Sequence, residues 1–132
     1  MLIFLDTNTI SHFHTPNHAI IDKVFNAISK KMVLCTTIIN KYEIIRGFKW
    51  RPNPKRETMF IDFLNNLDIY SINDYAIELA ADIYGNLRKK GTPIEDADIL
   101  IAAIVIANNG TLITSNIKHF ESIDNLKYEN WL

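Results

Sequence analysis

The chain has 132 residues, 48% hydrophobic and 22% charged, enough for one buried core and too few for two. Fourteen basic against fifteen acidic residues leave a formal charge of -1, which excludes a polybasic nucleic-acid coat and an acidic tail, so any charged partner must be met by a local patch. The lone Cys35 excludes an intrachain disulfide and a cysteine-based zinc site and points to the reducing cytoplasm. Neither a basic leader nor an apolar run near the ~20 residues that span a bilayer is present.

In chain order, Leu2–Leu5 is a short apolar run closed by Asp6, as expected of a strand buried on both faces of a parallel sheet. His18–Lys30 carries Ile20, Ile21, Val24, Phe25 and Ile28 at helical spacing. Met32–Thr36 reads as a second strand, and Ile38, Tyr42, Ile45 and Phe48 return to a helical period. Two prolines make 51–54 a loop, after which Met59, Phe60, Phe63, Leu64 and Leu67 mark a helix and Ile69–Ile72 a strand. Asn73 or Asp74 can cap the next helix, which Gly91 ends after three basic residues. Thr92-Pro93-Ile94-Glu95 has the form of a capping box opening a helix to Asn108, apolar on every face from Ile99 and so buried against the sheet and a neighbour or second subunit. Thr111–Thr114 is a further strand, and Lys127–Trp131 suits an edge strand. Strands alternating with helices predict an α/β fold in three layers, a mostly parallel sheet of four to five strands with helices on both faces, forming one domain over 1–132.

Ligands of such sheets bind beyond the carboxyl ends of the strands, which directs attention to Asp6-Thr7-Asn8, Thr36-Thr37 and Thr114-Ser115-Asn116. Asp6 also suits a helix N-cap. Asp98 falls on the same helix face as Ile101, Ala102 and Val105, where an ionised carboxylate needs donors or a cation. Asp96 lies about 200° around the helix from it and reads mainly as a favourable first-turn charge, with an outer-shell or metal role as the lesser reading. Glu43 is either a solvated glutamate paired with Lys41, Arg46 or Lys49, or a partner of Asp6 and Asp98 at the sheet edge. Three oxygen donors without Cys or His suit a hard ion, Mg²⁺ or Mn²⁺, and metal-assisted hydrolysis of a phosphodiester.

These residues resemble the PIN-domain ribonucleases, particularly the VapC-type toxins of toxin–antitoxin modules, over nearly the whole chain. The elements are 4–8, Tyr42–Gly47, Pro93–Ala103 and Leu112–Asn116, followed by His119-Phe120 and a terminal Glu129-Asn130-Trp131. The resemblance implies a Mg²⁺-dependent endoribonuclease with Asp6 and Asp98 as metal ligands and Glu43 holding a second ion or helping to activate water. Asn116 falls at the fourth acidic position of many members and adds no charge. Thr7, Asn8 and Thr114 become outer-shell or substrate-positioning groups. An RNA substrate, an inhibitory antitoxin encoded beside the toxin and a homodimer are implied as well. The apolar helix from Ile99 and Phe13, Phe25, Tyr42 and Phe48 offer subunit or antitoxin surface, although core packing accounts for most of them.

Lys41, Arg46, Lys49, Arg51, Lys55 and Arg56 form a basic span that suits RNA phosphates, Arg46 and Arg51 foremost; a solvated helix end is the plain alternative. His12, His14, His18 and His119 read as surface or packing residues. The opening Leu5-Asp6-Thr7-Asn8-Thr9 also approaches that of haloacid-dehalogenase-like phosphohydrolases, but Asn8 stands where their second Asp is needed. A receiver-type phosphoacceptor is weaker still, lacking an extra acidic pair. A degenerate PIN fold that only binds a partner is the non-enzymatic alternative.

Overall fold

A computed structural model describes residues 1–13 and 18–132, without the side chains of 18–21 and 25. His14 and the side chains of His18 and Phe25 lie outside the described residues. The elements are β1 (Leu2–Leu5), α1 (Thr7–His12), α2 (His18–Ser29), β2 (Val33–Thr37), α3 (Ile38–Trp50), α4 (Pro54–Asn65), β3 (Asp68–Tyr70), α5 (Asp74–Lys90), α6 (Asp96–Ala107), β4 (Thr111–Ile113), α7 (Ile117–Phe120) and β5 (Lys127–Glu129). The five strands form one sheet in the order β3-β2-β1-β4-β5, parallel throughout, with Phe4 beside both Cys35 and Leu112.

Strand side chains alternate between two apolar layers. Phe4, Cys35 and Leu112 pack with α5, α6 and Phe120, whereas Ile3, Leu5 and Ile113 pack with Ile10, Ile44, Phe60, Leu64 and Trp131. Helices therefore cover both faces, as the alternation of elements requires. Residues 101–105 of α6 are all fully buried, and sheet and α5 together cover them. The second subunit expected as a possible cover for this helix is not required by its burial.

Several boundaries differ from the sequence reading. The capping box at Thr92 does not form: the helix starts only at Asp96, Glu95 being extended at φ -66, ψ 148 and so outside the helix, and its side chain makes no capping bond. At the other proline pair, α4 begins at Pro54 rather than near Met59, because Asn53 caps it through Arg56 N and Pro54 suits the first turn. The N-cap reading of Asp6 is met by the six-residue α1, whose extent was not expected, and the four-residue α7 was not expected at all. Gly91 closes α5 in the left-handed conformation at φ 74, with Arg88, Lys89 and Lys90 in the last turn, as predicted. Of the aromatics, Tyr42 is exposed rather than core, while Phe48 meets Phe60 edge-on at 5.4 Å and Phe13 stacks near Phe63 at 4.8 Å.

Candidate active site

From central β1 the chain builds β2 and β3 on one side and β4 and β5 on the other, so the crevice of the fold opens beyond the carboxyl end of β1. Asp6 is the first residue past that strand. Its backbone N–H donates to Ile113 O at 2.9 Å, and its extended backbone makes it the N-cap of α1, with Oδ1 accepting from Thr7 N at 2.9 Å. Asn40 Nδ2 also donates to Oδ1 at 2.8 Å, and Thr114 Oγ1 donates to Oδ2 at 2.7 Å. The capping role and the site role thus coincide in one buried carboxylate, satisfied by neutral donors that fix its orientation without cancelling its charge.

The donors come from the start of α3. Thr37 caps that helix by accepting from Asn40 N at 3.2 Å, and its hydroxyl donates to Asn40 Oδ1 at 2.7 Å. That pair turns Nδ2 of the fully buried Asn40 toward Asp6 and toward Thr7 Oγ1, 3.0 Å away. One turn on, Glu43 Oε1 accepts from Thr7 Oγ1 at 3.0 Å, and Arg46 approaches Oε2 loosely at 3.7 Å. Burial pushes the Glu43 carboxyl above its ordinary value; the Thr7 bond opposes this, Asp6 adds to it, Arg46 opposes it, and Asp98 adds to it.

Asp98 occupies the third position of α6, where an acidic side chain commonly folds back onto the cap. Here Oδ2 instead meets His119 Nδ1 at 3.0 Å. Burial raises the Asp98 carboxyl above its ordinary value; the charge and hydrogen bond of His119 oppose this, and Asp6 and Glu95 add to it. Asp6, Glu43 and Asp98 are therefore brought within electrostatic reach of one another at the sheet edge. Asn40 and His119 were not among the expected site residues. Asn40 lies one turn before Glu43 in a helix opened by Thr37, which is a local signal; His119 contacts Asp98 across 21 residues, which is not.

Other candidates are placed differently. Asn8 Oδ1 accepts from Thr9 Oγ1 and Ser115 N, both at 3.2 Å, so it clasps α1 to the loop after β4. Thr114 is fully buried and supports Asp6 rather than facing solvent. Asn116 is exposed, and its backbone N–H donates to Thr114 Oγ1 at 3.0 Å. Asp96 lines a shallow groove with Ile77, Tyr84 and Leu100 on the α5 side, away from the carboxylates. Within the basic span, Arg51 and Arg56 line a groove of about 390 Å³ that ends on Thr7 and Glu43. The Arg46, Arg51 and Arg56 guanidiniums lie over Tyr42, Trp50 and Phe60.

Among the described residues no three His, Cys, Asp or Glu side chains form a ready-made metal cage. Asp6 and Asp98, as two carboxylates without Cys, would suit Mg²⁺, which keeps most of its waters and takes only one or two carboxylates. Burial and the Asp6 charge raise both the Glu43 and the Asp98 carboxyls, against the loosely placed Arg46 on one side and His119 on the other, and a hard cation held there would offset the remaining repulsion.

The PIN domain family matches residues 3–126. The chain is 31% identical to Ribonuclease VapC2 of Rickettsia felis over 99% of its length and 98% of that protein's. It is 28% identical to the tRNA(fMet)-specific endonuclease VapC of Salmonella typhimurium, with 96% of each covered. Among solved structures, VapBC2 of Rickettsia felis bound to a promoter DNA fragment superposes with a TM-score of 0.90 at 28% identity, covering all of both chains. DNA-bound VapBC of Salmonella typhimurium gives 0.87 at 26%, again covering all of both. With the three carboxylates at the crevice of this sheet, these matches make the chain a member of the VapC group of PIN-domain ribonucleases.

Proposed function

We propose that the chain is the toxin of a toxin–antitoxin pair, a Mg²⁺-dependent endoribonuclease that hydrolyses RNA at Asp6, Glu43 and Asp98 and accepts Mn²⁺ in place of Mg²⁺. The observation that carries this reading is the gathering of the three carboxylates around the end of β1, with Asp6 locked by Asn40 and Thr114. Asp6 and Asp98 would hold the ion, which when bound would polarise water and neutralise charge on the phosphodiester. Thr7 fixes Glu43 through Oε1, leaving Oε2 to take a proton from water. The raised carboxyl of Glu43 makes it a better base than a solvated glutamate. Arg51 and Arg56 bind flanking phosphates. The products are a 5′-phosphate and a 3′-hydroxyl.

The VapBC neighbours are complexes of toxin with antitoxin, and an antitoxin has a fitting surface on this chain. Ile38, Tyr42 and Trp50 recur at four- and eight-residue intervals along α3 and are exposed, as is Met59 on α4. Exposed Tyr75, Ile77 and Tyr84 on α5 suit a homodimer. The reading has the protein acting in the cytoplasm as one domain over 1–132, which the lone Cys35 supports; no helix among the described residues is long and apolar enough to cross a membrane. The phosphohydrolase alternative gains no support, because Asn8 Oδ1 is committed to the Ser115 loop.

Total RNA incubated with purified protein tests the proposal. Cleavage is expected with Mg²⁺, lost with EDTA and restored by excess Mg²⁺, with ligatable 5′-phosphates on the fragments. Cleavage that persists in EDTA rejects the metal mechanism, and release of phosphate from small monoesters without RNA cleavage points to the phosphohydrolase instead.

A further inference from the structure

The acidic centre lies between two grooves. The first leads from Thr7 and Glu43 to Arg51 and Arg56. The second, of about 450 Å³, opens on Asp98 and is lined by Pro93, Ile94, Glu95, Lys118 and His119. Asp6 joins them: its Oδ1 accepts from the N–H of Thr7 in the first groove at 2.9 Å, Thr7 in turn holds Glu43 at 3.0 Å, and the Asp6 charge bears on Asp98 in the wall of the second. A nucleic-acid strand with its scissile phosphate at Asp6 carries phosphates on both sides, and each side needs positive charge to balance them.

In the second groove that charge is scarce. Glu95 and Asp98 are acidic, and His119 is engaged with Asp98 at 3.0 Å. Lys118 is the one permanent cation among the lining residues. Its position is rigidly founded: Phe120 is fully buried, Glu121 N donates to Ile117 O at 2.9 Å, and the short α7 thereby presents Lys118 and His119 outward, both exposed. Among the described residues Lys118 pairs with no carboxylate, whereas Lys90 is held by Asp124 at 3.2 Å. With Asp98 engaged by His119 and offset by the cation it would hold, Lys118 balances Glu95; without Lys118 the groove would present an uncompensated carboxylate to a polyanion.

We propose that the second groove carries the RNA strand on the side of the scissile phosphate opposite Arg51 and Arg56, with Lys118 contacting a backbone phosphate and His119 acting as a positioning residue that holds Asp98. This rests on the ribonuclease reading.

The two roles separate in steady-state kinetics on a short single-stranded RNA in Mg²⁺ at several salt concentrations. Lys118→Ala is expected to raise KM about three- to tenfold with kcat within about twofold, the pattern of lost uniform binding, and to reduce the salt slope of KM by about 0.7, one single-strand phosphate contact. Lys118→Arg restores both. His119→Ala is expected to lower kcat about tenfold or more with little change in KM, and His119→Asn, which keeps a nitrogen donor beside Asp98, recovers most of it. Unchanged KM and slope in Lys118→Ala, while Arg51→Ala alters both, would overturn the second groove and leave the ribonuclease intact. Loss of kcat that His119→Asn does not recover overturns the positioning role. A wild-type protein that cleaves no RNA overturns the ribonuclease reading and the groove with it.

Discussion

At the residue scale the site is organised by uncharged side chains. Asn40 is fully buried, receives the Thr37 hydroxyl on Oδ1 and spends both Nδ2 hydrogens on Asp6 and Thr7. Asn40→Ala should cost about 1–3 kcal/mol through the partners left unsatisfied, and about 10- to 100-fold in metal affinity or kcat through the freed Asp6 carboxylate. Thermal melts and Mn²⁺ calorimetry read both, and a stable variant with undiminished metal affinity would refute the role. Glu43 supplies a pH test. Its raised carboxyl means that the folded protein holds this proton more tightly than the unfolded chain, so the contribution to stability is complete below the ordinary value of 4.5 and is lost as pH rises through the raised one. In EDTA, wild type should lose stability relative to Glu43→Gln as pH rises above 4.5, and Mg²⁺ should restore it at neutral pH. A wild type that gains on the variant as pH rises has the opposite sign and contradicts the burial of this carboxylate. Asp6 and Asp98 were legible in the sequence because each interrupts an apolar pattern. Asn40 carried only the local signal of its place one turn before Glu43, and His119 carried none; each matters through a partner 34 or 21 residues away, a distance that no local pattern encodes.

At the element scale, strand burial and helix period placed the main layers. The run from Ile99 is apolar on every face, and α6 is correspondingly enclosed. Short elements escaped: α1 and α7 span less than two turns, too little for a period to register, and α1 is nucleated by the same Asp6 that serves the site. The motif at Thr92 failed for the reverse reason, since a capping sequence is satisfied only if the helix starts there, and here it starts at Asp96 after an extended Glu95. One close approach defines how β4 meets β1. A Cβ on Gly110 would lie 2.4 Å from the Phe4 ring and 3.3 Å from Leu2 O, and the Phe4 ring is fully buried with no room to retreat. Gly110→Ala should therefore cost about 1–3 kcal/mol by overpacking, read as a lower urea midpoint at unchanged m-value; an unaltered midpoint would show that Phe4 can move.

At the scale of the whole molecule, the charge of -1 conceals a division. An acidic centre lies at the switch point of the sheet, with Arg51 and Arg56 in one flanking groove and Lys118 in the other, a distribution suited to a cation and a polyanion together. The exposed face of α5 is proposed to pair two copies, and Ile77→Glu should then convert a dimer to a monomer in sedimentation; a monomeric wild type would contradict the pairing. Central to all of this is Asp6, where β1, α1, α3 and the residue after β4 converge on one carboxylate. Asp6→Asn retains the shape of the side chain and removes its charge. Single-turnover cleavage of RNA by wild type and Asp6→Asn, both verified as folded by melting, is the decisive measurement: a loss of at least about 100-fold in rate is expected at saturating Mg²⁺, and equal rates would show that the chemistry takes place elsewhere.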